Sequence, residues 1–168
     1  FGVIERLPRG EADRFVAARR ADGEPDFALQ GAVGGEPGAD LYVVKFVEPE
    51  ETNRSALGFD AASEPTRRLA IEQALRTGQP TLSAPLTLVQ DQGQGTGFLY
   101  MMPVYAGGAI APATPKQREA ALTAIVYAPI VASELLSGTL DSIDADLVFS
   151  LFDGADESGR QVFSAQSP

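Results

Sequence analysis

The longest apolar run in this chain, Leu41 to Val47 (LYVVKFV), is interrupted by Lys45. It is far too short to cross a bilayer, which takes roughly 20 apolar residues in a helix. The apolar residues must therefore be buried by packing short elements on one another. The run is rich in β-branched and aromatic residues and predicts a strand over Leu41–Glu48. Apolar residues make up 44% of the 168, enough for a packed core. Helical and strand-like stretches alternate along the rest, which predicts a mixed α/β or α+β chain.

Around that strand the punctuation is clear. Arg9–Asp22 carries Phe15, Val16 and Ala18 amid Glu and Arg and reads as a helix, stopped by Gly23 and Pro25. Phe27 and Leu29 alternate in a short strand over Asp26–Gln30, and Gly31–Asp40 is a glycine-rich loop. A short helix is expected at Asn53–Leu57. Ser63 is placed to cap the next helix, with Pro65 in its first turn and Gly78 at its end. Ile71, Ala74 and Leu75 share one face of that helix, with Arg67 at the edge. Arg68, Glu72 and Arg76 stack on the opposite face.

Thr81–Val89 and Phe98–Tyr105 form a hairpin across the turn Asp91–Gly97, with Pro85 and Pro103 at bulges or edges. The loop Ala106–Lys116 and a helical turn at Gln117–Ala121 lead to a strand over Leu122–Ile130 and a helix over Val131–Leu140. Leu147–Phe152 and Arg160–Ser164 read as a new hairpin. The expected fold class is α+β: a PAS-like five-stranded antiparallel sheet over about Asp26–Ile130, helices on one face, then the start of a second PAS-like lobe. Residues 1–140 would form the first lobe and 141–168 the incomplete second. A small molecule would sit between sheet and helices.

Composition narrows function. The formal charge is −10, with only Lys45 and Lys116 as lysines. Such a surface repels nucleic acid and anionic membrane faces. Cysteine and histidine are absent, so disulfides, zinc fingers, Cys nucleophiles and Ser-His-Asp triads are excluded. No signal peptide opens the chain and Phe1 is mid-domain in character, so membrane segments are expected outside this fragment. Gly93, Gly95 and Gly97 lead into a strand rather than a helix and do not form a phosphate loop. Asp141, Asp144 and Asp146 lack the Gly and terminal Glu of a calcium loop. No metal, cofactor or catalytic residue is assigned, and Glu48, Glu50 and Glu51 read as an exposed strand end.

The stretch Asn53–Tyr105 resembles the CHASE domain family. The resemblance is carried by NRSALGFDAASEPTRRLAIEQALRTGQPTLSAPLTLVQ, then GFLYMMPVY, then PATPKQREAALTAIVYAP. It implies an extracytoplasmic sensor between two transmembrane helices that relays ligand occupancy to a cytoplasmic histidine kinase or nucleotide cyclase. It also implies a homodimer in the full-length receptor and a periplasmic position in a bacterial inner-membrane protein. In the plant cytokinin receptors of the family an aspartate and a leucine contact the ligand, and those positions fall here on Asp60 and Leu82. A threonine important for cytokinin aligns with Met101, a departure that counts against cytokinin itself.

Asp60 lies among Gly58, Phe59, Ala61 and Ala62, an apolar setting where a carboxylate needs hydrogen-bond donors. It serves either a ligand or the local backbone as a cap. Leu82, Leu86, Leu88, Phe98, Tyr100 and Met102 are expected on one face of the hairpin, as core and pocket wall together. Tyr100 and Tyr105 offer hydroxyls to a pocket. The resulting ligand site is Asp60, Leu82, Tyr100, Met101 and Tyr105. The chief rival is a sensor read by a periplasmic protein partner at an apolar patch; a carboxylate-dependent hydrolase is more remote.

Overall fold

The fold comes from a computed structural model that describes residues 1–31, 38–88, 96–108, 110–131, 134, 148–154 and 159–166. Its strands are β1 (Gly2–Leu7), β2 (Leu41–Val47), β3 (Thr81–Leu82), β4 (Leu86–Thr87), β5 (Thr96–Tyr105), β6 (Leu122–Val131), β7 (Val148–Asp153) and β8 (Arg160–Gln166). Its α-helices are α1 (Ala12–Ala21), α2 (Glu50–Asn53), α3 (Pro65–Thr77) and α4 (Pro115–Ala121). The main sheet runs β2-β1-β6-β5-β3, with β4 also on β5, and every neighbour is antiparallel. β7 and β8 form a separate antiparallel pair. This is an α+β fold, as expected.

The centre of the sheet holds a strand that the sequence reading omits. β1 pairs with both β2 and β6. Its Glu5 and Arg6 disguise the alternation, and a register shift at Val3/Ile4 breaks its phase. The strand expected at Asp26–Gln30 does not form. Only Gln30 bridges, to Phe59, while Phe27 is buried under α1 with Phe15 as an edge-on ring neighbour.

Pro85 splits the predicted Thr81–Val89 strand into β3 and β4. Across the break, the Ser83 amide donates to the Leu99 carbonyl and the Ser83 hydroxyl accepts from the Leu99 amide. The break also shifts the phase: Leu82 is exposed, while Leu86 and Leu88 are buried. On β5 the buried residues include Leu99, Met101, Pro103 and Tyr105, not Tyr100 and Met102. Both faces of this hairpin are apolar, so alternation alone does not say which faces inward.

α3 packs Ala70, Ile71 and Ala74 onto that inner face, against Leu99, Met101, Ile125, Val44 and Ile4. Its N-cap is Glu64 rather than Ser63. Both Glu64 carboxylate oxygens accept, one from the Thr66 amide and one from the Arg67 amide, each at 2.9 Å. Ser63 instead donates its hydroxyl to the Asp60 carbonyl. Gly78 closes the helix in the left-handed region, φ 72°. The C-terminal carbonyls of Leu75 and Arg76 accept from the buried Arg118 guanidinium of α4, which also binds the Pro112 and Ala113 carbonyls. A cation at a helix C-terminus also complements the helix dipole.

α1 lies elsewhere. It packs against Leu7, Leu41 and Val43, which alternate with Arg6 and Tyr42 and so point to the other face of the sheet. Val131 ends β6 rather than opening the helix expected over Val131–Leu140, and Glu134 is helical. The other residues of that helix, residues 91–95 of the hairpin turn, and Asp141, Asp144 and Asp146 lie outside the described residues.

Candidate functional site

The segment Leu57–Asp60 builds the site. Gly58 has φ 78°, and a Cβ there would fall 2.0 Å from the Ala28 carbonyl oxygen, so glycine is required. With that approach allowed, the segment lies along the open edge of β2. The Val44 amide donates to the Phe59 carbonyl and the Gly58 amide to the Val44 carbonyl. Gln30 brackets the same segment from the other side, its amide on the Gly58 carbonyl and its carbonyl accepting from the Asp60 amide. The edge is thereby covered, and Asp60 is delivered beneath the start of β2.

Asp60 is only 2% exposed. Its Oδ1 accepts from the Tyr42 amide at 2.9 Å and the Ala62 amide at 3.2 Å, capping the 3-10 turn Ala61–Ser63. Oδ2 takes no hydrogen bond among the described residues. Among the described residues the buried polar side-chain atoms without a hydrogen bond are Arg19 Nε and the Tyr105 hydroxyl. Oδ2 is not among them, so it keeps access to the space that Asp60 lines.

That space is a cleft of about 510 Å³, within the range of small-molecule sites. β1 supplies Arg6, β2 Tyr42, α3 Arg68, Ile71 and Glu72, and α4 Glu119. Arg6 is already engaged: Nε meets Asp40 at 2.7 Å, and its other nitrogens reach the Glu119 carbonyl and carboxylate. Partial burial works against its charge, but the hydrogen bond and attraction of Asp40, with Tyr42 and Glu119, raise its pKa above the ordinary value. Burial pushes the Tyr42 phenol up, against the pull of Arg6. Tyr42 is therefore a neutral donor and acceptor at neutral pH. The helical stack of Arg68 and Glu72 forms no ion pair, and neither side chain has a hydrogen-bond partner among the described residues.

The space directly between α3 and the sheet is filled. Only about 20 Å³ remains among Ile4, Val44, Ala56, Phe59, Ala61, Arg67, Leu99 and Tyr127, room for about one water. Arg67 is the plug. Predicted at the helix edge, it is buried, with its guanidinium 5.2 Å from the Phe59 ring centre. Its Nη2 donates to the Thr87 carbonyl at 2.9 Å, and Glu64 lies 3.8 Å away. Burial lowers its pKa, with Glu64 opposing.

The five residues of the predicted site do not converge. Asp60 lines the cleft. Met101 is fully buried in the core and pairs with Thr81. Leu82 and Tyr100 are cross-strand partners, 52% and 43% exposed, on the face away from α3. Tyr105 is buried, and burial raises its pKa against the nearby Arg118 charge. Tyr42, Arg6 and Glu72 escaped the sequence reading because their convergence depends on recognising β1, whose register sets Arg6 opposite Tyr42. The i, i+4 spacing of Arg68 and Glu72 was visible; the cleft beside it was not.

Asp60 is thus a buried carboxylate with one open oxygen, set in a charged lateral cleft beside a covered sheet edge. The CHASE domain family model matches residues 1–163, nearly the whole chain, and the chain belongs to that family. CHASE domains are extracellular sensor domains of histidine kinases and cyclases, sensory rather than catalytic. No curated protein matches the chain. Among the described residues no helix is long and apolar enough to cross a membrane.

Proposed function

We propose that this domain is the periplasmic part of a bacterial inner-membrane histidine kinase or diguanylate cyclase and that it binds a small molecule in the Asp60 cleft. The observation that carries the reading is Asp60 itself. Burying a carboxylate costs several kcal/mol unless donors meet it, and among the described residues only one of its oxygens is met. Residues 1–140 are read as a PAS-like membrane-distal lobe and 141–168 as the start of a second. Ligand bridging Asp60 and α3 shifts the population toward a closed helix–sheet arrangement, which the second lobe passes to the membrane in a homodimeric receptor.

Native mass spectrometry before and after denaturation tests this. A released small molecule, lost from Asp60→Asn protein, supports the reading. Equal retention by Asp60→Asn removes the ligand from this cleft. A second reading, a periplasmic protein partner with no small ligand, is favoured by the exposed apolar face of the sheet, where Leu82, Tyr100, Met102, Val104 and Phe46 are 37–52% exposed.

A further inference from the structure

The free groups of the cleft narrow what its ligand can be, granted the small-molecule reading above. Arg6 is committed to two carboxylates, Asp40 and Glu119, and Arg9 donates to the Ala39 carbonyl, so all four are engaged. Three charged groups make no hydrogen bond or ion pair among the described residues: Asp60 Oδ2, the Glu72 carboxylate, which acts on Tyr42 only through its charge, and the Arg68 guanidinium. A carboxylate is a pure acceptor and a guanidinium a pure donor. Asp60 is buried and Arg68 half-buried, so both interact through a medium less screening than water. Ile71, 1% exposed, and Ala62 give the same cleft an apolar wall.

We propose that the ligand is a small zwitterion of the α-amino-acid type. Its ammonium is held by Asp60 Oδ2 and Glu72, its carboxylate by Arg68, and its side chain lies against Ile71 and Ala62. A phosphate ester or other dianion finds only Arg68 uncommitted, because Arg6 and Arg9 are engaged, and it meets two carboxylates that repel it. A neutral apolar molecule leaves all three charged groups unpaired and partly desolvated, which opposes its binding. A plain cation satisfies the carboxylates but is repelled by Arg68. Only a molecule carrying both charges answers every free group, and opposed charges in one small ligand also fix its orientation. The protein charge of −10 adds a field that disfavours a net anion.

Thermal-shift and calorimetric titration of the full chain tests this with a panel of α-amino acids, their α-amides, their N-acetyl forms, adenine and inorganic phosphate. The expected result is saturable stabilisation by one or more amino acids and by neither the matching amide nor the N-acetyl form. Asp60→Asn keeps a side-chain oxygen for the Tyr42 and Ala62 amides but turns a donor toward the cleft. It should weaken the amino acid roughly ten- to a hundredfold. Arg68→Gln should weaken the acid similarly and bring acid and amide to equal affinity, a change that loss of stability alone does not produce. Binding of adenine or phosphate with none by the amino acids overturns the inference while leaving the sensor reading in place. No binding from the whole panel also overturns it. The mass-spectrometric search for a retained molecule then decides the sensor reading separately.

Discussion

Two spaces flank α3, and they have opposite fates. Beneath the helix, Ala70, Ile71 and Ala74 meet Leu99, Met101 and Ile125, leaving about 20 Å³. Beside it, where Arg68 and Glu72 face Arg6, Tyr42 and Asp60, about 510 Å³ stays open. Apolar side chains close on each other because contact removes both from water. Charged groups that lack partners keep their hydration instead, and the space between them persists. The open cleft of this domain is thus the part of its surface that cannot pack shut, not a void left in the core, and it is there that the proposed ligand would sit.

The sharpest test of the closed side is truncation within it. Met101→Ala should cost about 3–5 kcal/mol, toward the upper end for a fully buried methionine, read as a fall in the urea midpoint. Its neighbour Tyr100, on the open face, should lose under about 1 kcal/mol as Tyr100→Ala. Comparable losses at the two positions would mean that the faces of β5 are misassigned.

Arg67 is the more delicate member of the closed side. Arg67→Ala removes the plug and its stacking on Phe59, and should cost about 2–4 kcal/mol. Arg67→Met refills the space without the charge, and should recover most of that loss because a packed apolar chain replaces a buried ion readily. If Met were no better than Ala, the guanidinium's bond to the Thr87 carbonyl would outweigh its packing.

How much of this was legible follows the same division. The strand at Leu41–Val47, the helix ending at Gly78 and the meander leading into Leu122–Val131 follow from periodicity and punctuation, and they stand in the structure. Asp60 was legible as a carboxylate in apolar surroundings. β1 was not, because Glu5 pairs with Lys45 and Arg6 with Asp40 and Glu119, giving a central strand the look of a surface segment. The phase of the hairpin was not legible either, since a strand apolar on both faces carries no sign of which side meets the helix. The cleft inherits both difficulties. It exists only when β1 sits beside β2 and α3 lies over that end of the sheet.

On the open side, Asp60→Ala should cost about 1–2 kcal/mol, because the Tyr42 and Ala62 amides lose their shared acceptor. Asp60→Asn should cost less than half of that. Circular dichroism melts of the two variants measure the difference. Equal losses would mean that the charge on Asp60, rather than its Oδ1 geometry, holds the segment in place.

The smallest effect lies at the boundary between the two spaces, where Glu64 caps α3. Partial burial raises its pKa, but hydrogen bonds from the Thr66 and Arg67 amides, with the Thr66 hydroxyl and the Arg67 charge, outweigh this and hold it below 4.5. A carboxylate depressed in the folded state binds its proton more readily when unfolded. Its contribution is therefore complete above about 4.5, the unfolded value, and is lost as pH falls through the lower folded value. Glu64→Gln keeps one acceptor and removes the titration. At pH 7 it should cost about 0.5–1 kcal/mol, and the gap to wild type should shrink as pH falls below about 4.5. Urea unfolding of both proteins from pH 7 down to pH 3 traces that convergence. Parallel curves across the interval would show that the charge on Glu64 contributes nothing, and that the cap works through hydrogen-bond geometry alone.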